Sequence, residues 1–91
     1  MNEITIKDLL KLEKNKVQII DIREKYEYEN GHIQSIHIPM DQILESKQKI
    51  SNDKTVVIYC QSGRRAAAVV YMLKKKFNFQ NVYNLIGGYS A

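Results

Sequence analysis

Residues 55–77 read TVVIYCQSGRRAAAVVYMLKKKF. Thr55 to Tyr59 is an uncharged run of β-branched and aromatic residues, which predicts a strand buried on both faces. From Gly63 to Phe77, Ala66, Val69, Val70, Leu73 and Phe77 recur at helical spacing and form one apolar stripe. Cys60, Gln61 and Ser62 lie between the two. A buried strand that passes through a glycine-containing turn into an amphipathic helix is half of a parallel crossover unit. This stretch therefore predicts an α/β fold.

The same alternation continues outward. Upstream, Val17 to Ile22 (VQIIDI) reads as a second buried strand, and residues 24–29 as a short helix stopped by Asn30-Gly31. Ile36 to Ile38 is a short strand closed by Pro39, and residues 41–49 form a short helix or helical turn. Nearest the N-terminus, residues 3–5 suggest a short strand. Ile6, Leu9, Leu10 and Leu12 then mark a helix capped by Thr5 and ended by Asn15-Lys16. Downstream, Val82 to Leu85 is the last strand and Gly87-Gly88 break it. Continuous apolar strands alternating with helices predict a parallel sheet covered by helices on both faces, a three-layer α/β/α arrangement. Ligands of such sheets bind beyond the carboxyl ends of the strands, where Cys60 falls.

Composition narrows the function. The chain has 91 residues, 44% hydrophobic and 26% charged, which fits a single domain over residues 1–91. One cysteine excludes an internal disulfide and a Cys-rich zinc site. The net charge is +4, but the lysines are dispersed apart from Lys74, Lys75 and Lys76. That run complements a helix C-terminus, so we expect no nucleic-acid partner. A positive surface still favours encounter with small anions. We find no signal-peptide pattern and no apolar stretch long enough to span a bilayer. We therefore expect a cytoplasmic protein without membrane contact.

Chemistry concentrates on Cys60-Gln61-Ser62-Gly63-Arg64-Arg65-Ala66. A strand-to-helix loop can turn its backbone N–H groups inward, and the helix adds the positive end of its dipole. Gly63 permits positive φ or close backbone approach. Arg64 and Arg65 bring two cations near the sulfur, and Ser62 offers a hydroxyl. All of these favour thiolate over thiol. Cysteine phosphatases carry an arginine six positions after the cysteine, whereas here that position is Ala66 and Arg65 stands five positions on. The smaller cradle suits a compact sulfur oxyanion better than a phosphate ester.

The other polar residues read as structural support. Asp21, at the end of a buried strand, is expected to accept hydrogen bonds from neighbouring loops, and Arg23 to pair with Glu27. His32 reads as a turn histidine bonded to backbone rather than as a base for Cys60. His37 stands five residues further on, at a spacing that does not match a metal pair. We expect no metal and no cofactor.

Three segments resemble the rhodanese-like sulfurtransferase family, and together they cover nearly the whole chain. DIREKYEYENGHIQSIHIP is similar to the family's first motif through Asp21, Arg23, Glu27, Tyr28, Gly31, His32, Ile33, Ile38 and Pro39. YCQSGRRA is similar to its active loop through Cys60, Gly63, Arg65 and Ala66. VYNLIGGYSA resembles its closing motif, with Ile86 where the family often has Glu. Where the family continues with Trp and a short helix, this sequence stops at Ala91, so we expect a thinly covered C-terminal edge. The resemblance implies a five-stranded parallel sheet and a persulfide on Cys60, held by the loop N–H groups from Gln61 to Arg65. It implies a small donor such as thiosulfate and a cyanide, thiol or protein acceptor. A sulfur carrier loaded by a partner protein is the alternative it leaves open.

Overall fold

Strands too short to stand alone are stabilised by pairing, and five of them pair here. The computed structural model describes residues 2–90. Its strands are β1 (Glu3–Ile4), β2 (Val17–Asp21), β3 (Ile36–His37), β4 (Thr55–Tyr59) and β5 (Val82–Leu85). They form one sheet in the order β1-β5-β4-β2-β3, with every pair parallel. β4 is central, and its register against β2 runs from Val17↔Thr55 to Asp21↔Tyr59.

Side chains alternate across the sheet, so each strand feeds two cores. Val56, Ile58 and Cys60 point to one layer, and Val57 and Tyr59 to the other. The first layer is filled by Ala66, Val69, Val70 and Leu73 of α3 (Arg64–Phe77), and by Ile43 of a 3-10 segment, Ile43–Lys49. The second holds Leu9 of α1 (Ile6–Leu9), with Leu12 and Ile33 packed against it. Each fully buried Val or Ile contributes roughly 1.5–3 kcal/mol through removal from water. The remaining helix, α2 (Lys25–Glu29), follows β2 and stops at Asn30.

The sequence expectations hold for β4, α3 and β5, the long or continuously apolar segments. Differences lie in the short ones. The first helix is one turn, capped by Thr5 Oγ1 accepting from the Asp8 N–H at 3.1 Å. It does not reach Leu12 but gives way to a 3-10 turn at Lys14–Lys16. So short a helix has little cooperative reserve, and the chain must already reverse to enter β2. The expected short helix or helical turn over 41–49 is a 3-10 segment at Ile43–Lys49 with a break at Ser46, anchored by buried Ile43 and by Leu44 packed against the core. No helix among the described residues is long and apolar enough to cross a membrane.

Candidate active site

Alternation along β4 places Cys60 on the α3 layer, fully buried directly below the helix N-terminus. The chain turns into α3 at Gly63, whose φ is +101. That left-handed conformation is readily adopted only by glycine. Glycine has no side chain to cap the helix, yet the first turn of a helix has free N–H groups. The sulfur takes the capping role: Cys60 Sγ accepts from the Gly63 N–H at 3.1 Å and from the Ala66 N–H at 3.3 Å. Both donors, and the N-terminal end of α3, face this sulfur.

A loop that turns N–H groups inward turns carbonyls outward, and these are held too. The Tyr89 N–H donates to the Cys60 carbonyl at 2.8 Å, and the Ser90 N–H to the Gln61 carbonyl at 3.0 Å. Both donors belong to a 3-10 turn at Gly88–Ser90. Gly88 has φ +60, and a Cβ there would overlap the Cys60 carbonyl oxygen and lie 2.8 Å from the Gln61 carbonyl carbon. At the C-terminal edge Tyr89 and Ser90 are exposed, and their backbone N–H groups bond to residues 60 and 61 of the loop; Ala91 lies outside the described residues. Chain reversal at Gly87-Gly88 makes this packing possible.

Asp21 and Arg23 sit beside the loop as a buried ion pair. Asp21 accepts from Arg23 Nε at 3.1 Å, Arg23 Nη2 at 2.9 Å, the Arg23 N–H at 2.8 Å and the Tyr59 hydroxyl at 2.7 Å. Burial pushes the Asp21 carboxyl up, but these hydrogen bonds outweigh it and hold the group below its usual value. Burial, with Asp21 at its oxygen, pushes Tyr59 up to about 12. Asp21 and Tyr59 are register partners, so their side chains share one face of the sheet. The guanidinium also donates to the Gly31 carbonyl at 2.7 Å and lies 4.4 Å from the Tyr89 ring centroid.

The expected Arg23–Glu27 pair does not form. Asp21, two residues before Arg23 at the end of β2, takes Arg23, and Glu27 on α2 faces α3 instead. There Glu27 holds Arg65 through two hydrogen bonds of 3.0 Å. It also accepts from the Glu24 N–H at 2.9 Å, joining the start of α2 to the start of α3. The Arg65 contact, set against a smaller burial effect, holds the Glu27 carboxyl below its usual value. Arg65 is thus a paired cation, whereas Arg64 and the Ser62 hydroxyl are exposed. His32 Nδ1 bonds to the Tyr28 carbonyl at 2.8 Å and its ring stacks on Tyr28 at 3.7 Å. His37 stacks on Tyr28 at 4.4 Å and bonds through Nε2 to the Arg23 carbonyl at 2.7 Å.

The structure therefore brings Cys60, Gly63, Asp21, Arg23 and Gln61 together, and ties Arg65 to Glu27 at the rim. Sequence reasoning missed Ala66 as a sulfur donor, Tyr59 as a partner of Asp21, and the Tyr89 and Ser90 amides. Only Ala66 left a usable signal, since it stands third in the helix after a cap that has no side chain. No group of His, Cys, Asp and Glu among the described residues is arranged to hold a metal ion.

A model of the rhodanese-like domain matches residues 5–91. Uncharacterized protein YqhL of Bacillus subtilis is 40% identical over 75 residues, which are 81% of this chain but 59% of that protein. Thiosulfate sulfurtransferase GlpE of Coxiella burnetii is 33% identical over 81 residues, 88% of this chain and 75% of that protein. The crystal structure of a rhodanese-like domain protein from Staphylococcus aureus aligns with a TM-score of 0.85 at 34% identity, covering 97% of this chain and 87% of that one. This chain thus spans less than two thirds of the first relative's length.

Proposed function

The chain belongs to the rhodanese-like domain family, and from that premise we propose that it is a sulfurtransferase working through a persulfide on Cys60. The observation that carries this reading is the sulfur at the helix N-terminus, with the Gly63 and Ala66 N–H groups donating to it. The Cys60 thiolate attacks the outer sulfur of a donor such as thiosulfate. A Cys60 S–S bond forms, the donor's S–S bond breaks, and sulfite leaves with the electron pair. The terminal sulfur of the persulfide carries negative charge, and inward N–H groups of the loop from Gln61 to Ala66 stabilise it. An acceptor (cyanide, a thiol or a protein thiol) then attacks that sulfur, and the thiolate of Cys60 leaves as the S–S bond breaks. The chain has no second cysteine to resolve the persulfide, so the acceptor comes from outside it.

Intact mass tests the reading. Thiosulfate is expected to add one sulfur atom, cyanide to remove it, and Cys60→Ser to abolish both. Wild-type protein that gains no sulfur from any sulfane donor refutes it. A second reading, a sulfur carrier loaded by a partner protein, draws its support from the similarity to Putative sulfur carrier protein YrkF of Bacillus subtilis, 33% identical over 73 residues, which are 79% of this chain and 39% of that protein. Loading by a partner persulfide much faster than by thiosulfate would select it.

A further inference from the structure

We propose that Gln61 is a positioning residue for sulfur loading, and that the buried Arg23 acts on the active loop through it. This rests on the sulfurtransferase reading. Gln61 is held at three atoms: its Oε1 accepts from Arg23 Nη1 at 3.0 Å, its Nε2 donates to Ser90 Oγ at 3.1 Å, and its carbonyl accepts from the Ser90 N–H at 3.0 Å. Each end of the side-chain amide thus has a partner within the fold. Gln61 is the partner of Arg23 Nη1, while Nε and Nη2 are engaged by Asp21 and Gly31. The guanidinium also stacks on Tyr89, whose N–H holds the Cys60 carbonyl. Arg23, Gln61, Ser90 and Tyr89 thus close a ring of contacts around the outer side of the loop.

The ring bears on chemistry because the donors at the sulfur are backbone groups. The carbonyls of residues 60 and 61 share their peptide planes with the Gln61 and Ser62 N–H groups, so the ring that holds those carbonyls sets the direction of the first two N–H groups of the loop, the ones leading into the Gly63 donor. The sulfur itself is touched by Gly63 and Ala66, so Gln61 acts by orientation rather than by contact. The bridge needs a side chain of this length with an acceptor at one end and a donor at the other. Glutamate keeps the acceptor for Arg23 and loses the donor for Ser90. Leucine loses both.

The experiment is single-turnover loading by thiosulfate, followed by intact mass, on full-length wild type, Gln61→Leu, Gln61→Glu and Ser90→Ala. Amide NMR of Ser62 and Gly63 runs alongside. Gln61→Leu is expected to lower the maximal loading rate about tenfold, the scale of a modest orientation loss. The half-saturating thiosulfate concentration should stay within about twofold of wild type, and the Ser62 and Gly63 amides should shift. Gln61→Glu should recover part of the rate. A Gln61→Leu protein that is folded and loads at the wild-type rate overturns the proposal. So does an unchanged maximal rate with a raised half-saturation, which would make Gln61 a donor-binding residue. Should Gln61→Leu fail to fold, wild-type rates in both Gln61→Glu and Ser90→Ala overturn it, and reduced rates support it. Wild type that does not load refutes the sulfurtransferase reading, and the amide shifts then decide the positioning role alone.

Discussion

Asp21→Asn is the sharpest test of how the site is supported. The change keeps the side chain's shape and removes its charge. Asp21 is fully buried and Arg23 is 2% exposed, so the substitution leaves a buried guanidinium without its counterion. It also turns an amide N–H₂ or a lone carbonyl oxygen toward donors that now meet two carboxylate oxygens. Breaking a buried pair from one side costs about 3–5 kcal/mol. A domain of this length has a total stability of about 5–14 kcal/mol, so much of the margin is lost. The midpoint of thermal unfolding should fall by about 15–30 °C, and urea denaturation at pH 7 should give the same free-energy loss. The pH dependence adds a signature. The folded carboxyl sits below its unfolded value, so its stabilisation is complete above about pH 4 and fades as pH falls through the folded value. The variant should lose less stability on acidification than wild type, with Glu27 supplying what remains of the acid limb. Adding Arg23→Met should cost less than the sum of the single changes, by about 2 kcal/mol, because it removes the stranded charge. An Asp21→Asn loss below about 1 kcal/mol, or an unchanged acid limb, would refute this account of the pair.

Two further outcomes follow from the geometry. Gly88→Ala forces a Cβ against the Cys60 and Gln61 backbone at a left-handed φ, so we expect a loss of about 3 kcal/mol in urea denaturation and slower sulfur loading. Glu27→Gln should cost about 1 kcal/mol or less, since the Arg65 pair is partly open to solvent, and most of the difference from wild type should vanish in about 1 M salt.

The parts of the fold that were legible in the sequence are those where one physical signal dominates. TVVIY and the stripe from Ala66 to Leu73 leave no competing way to bury their apolar groups, and both elements form where expected. Residues 6–12 were less legible, because a single helical turn is decided by its neighbours. The same division applies at the site. Cys60 and Gly63 could be placed from local order alone: strand end, sulfur, glycine, helix. The ion pairs could not, because choosing between Asp21 and Glu27 for Arg23 needs the relative placement of β2, α2 and α3. The pattern of charges offers Arg23 and Arg65 two carboxylates, and only the fold assigns them.

That asymmetry follows from how the sulfur is held. Its donors are main-chain N–H groups, which nearly every residue possesses, so the side chains of Ser62 and Arg64 can face solvent without disturbing them. What the sequence must specify is the orientation of the peptides. It does so away from the loop, through Gly88, which lets the backbone of residues 88–90 approach, and through the Tyr89 and Ser90 amides, which take the loop's carbonyls. Exchanging a loop side chain that makes no such contact should therefore be milder than exchanging a residue of the supporting turn. Ser62→Ala and Gly88→Ala compare the two on one scale: the first should load sulfur within about twofold of wild type, and the second markedly more slowly. Equal effects would mean that the loop keeps its shape without the turn beneath it.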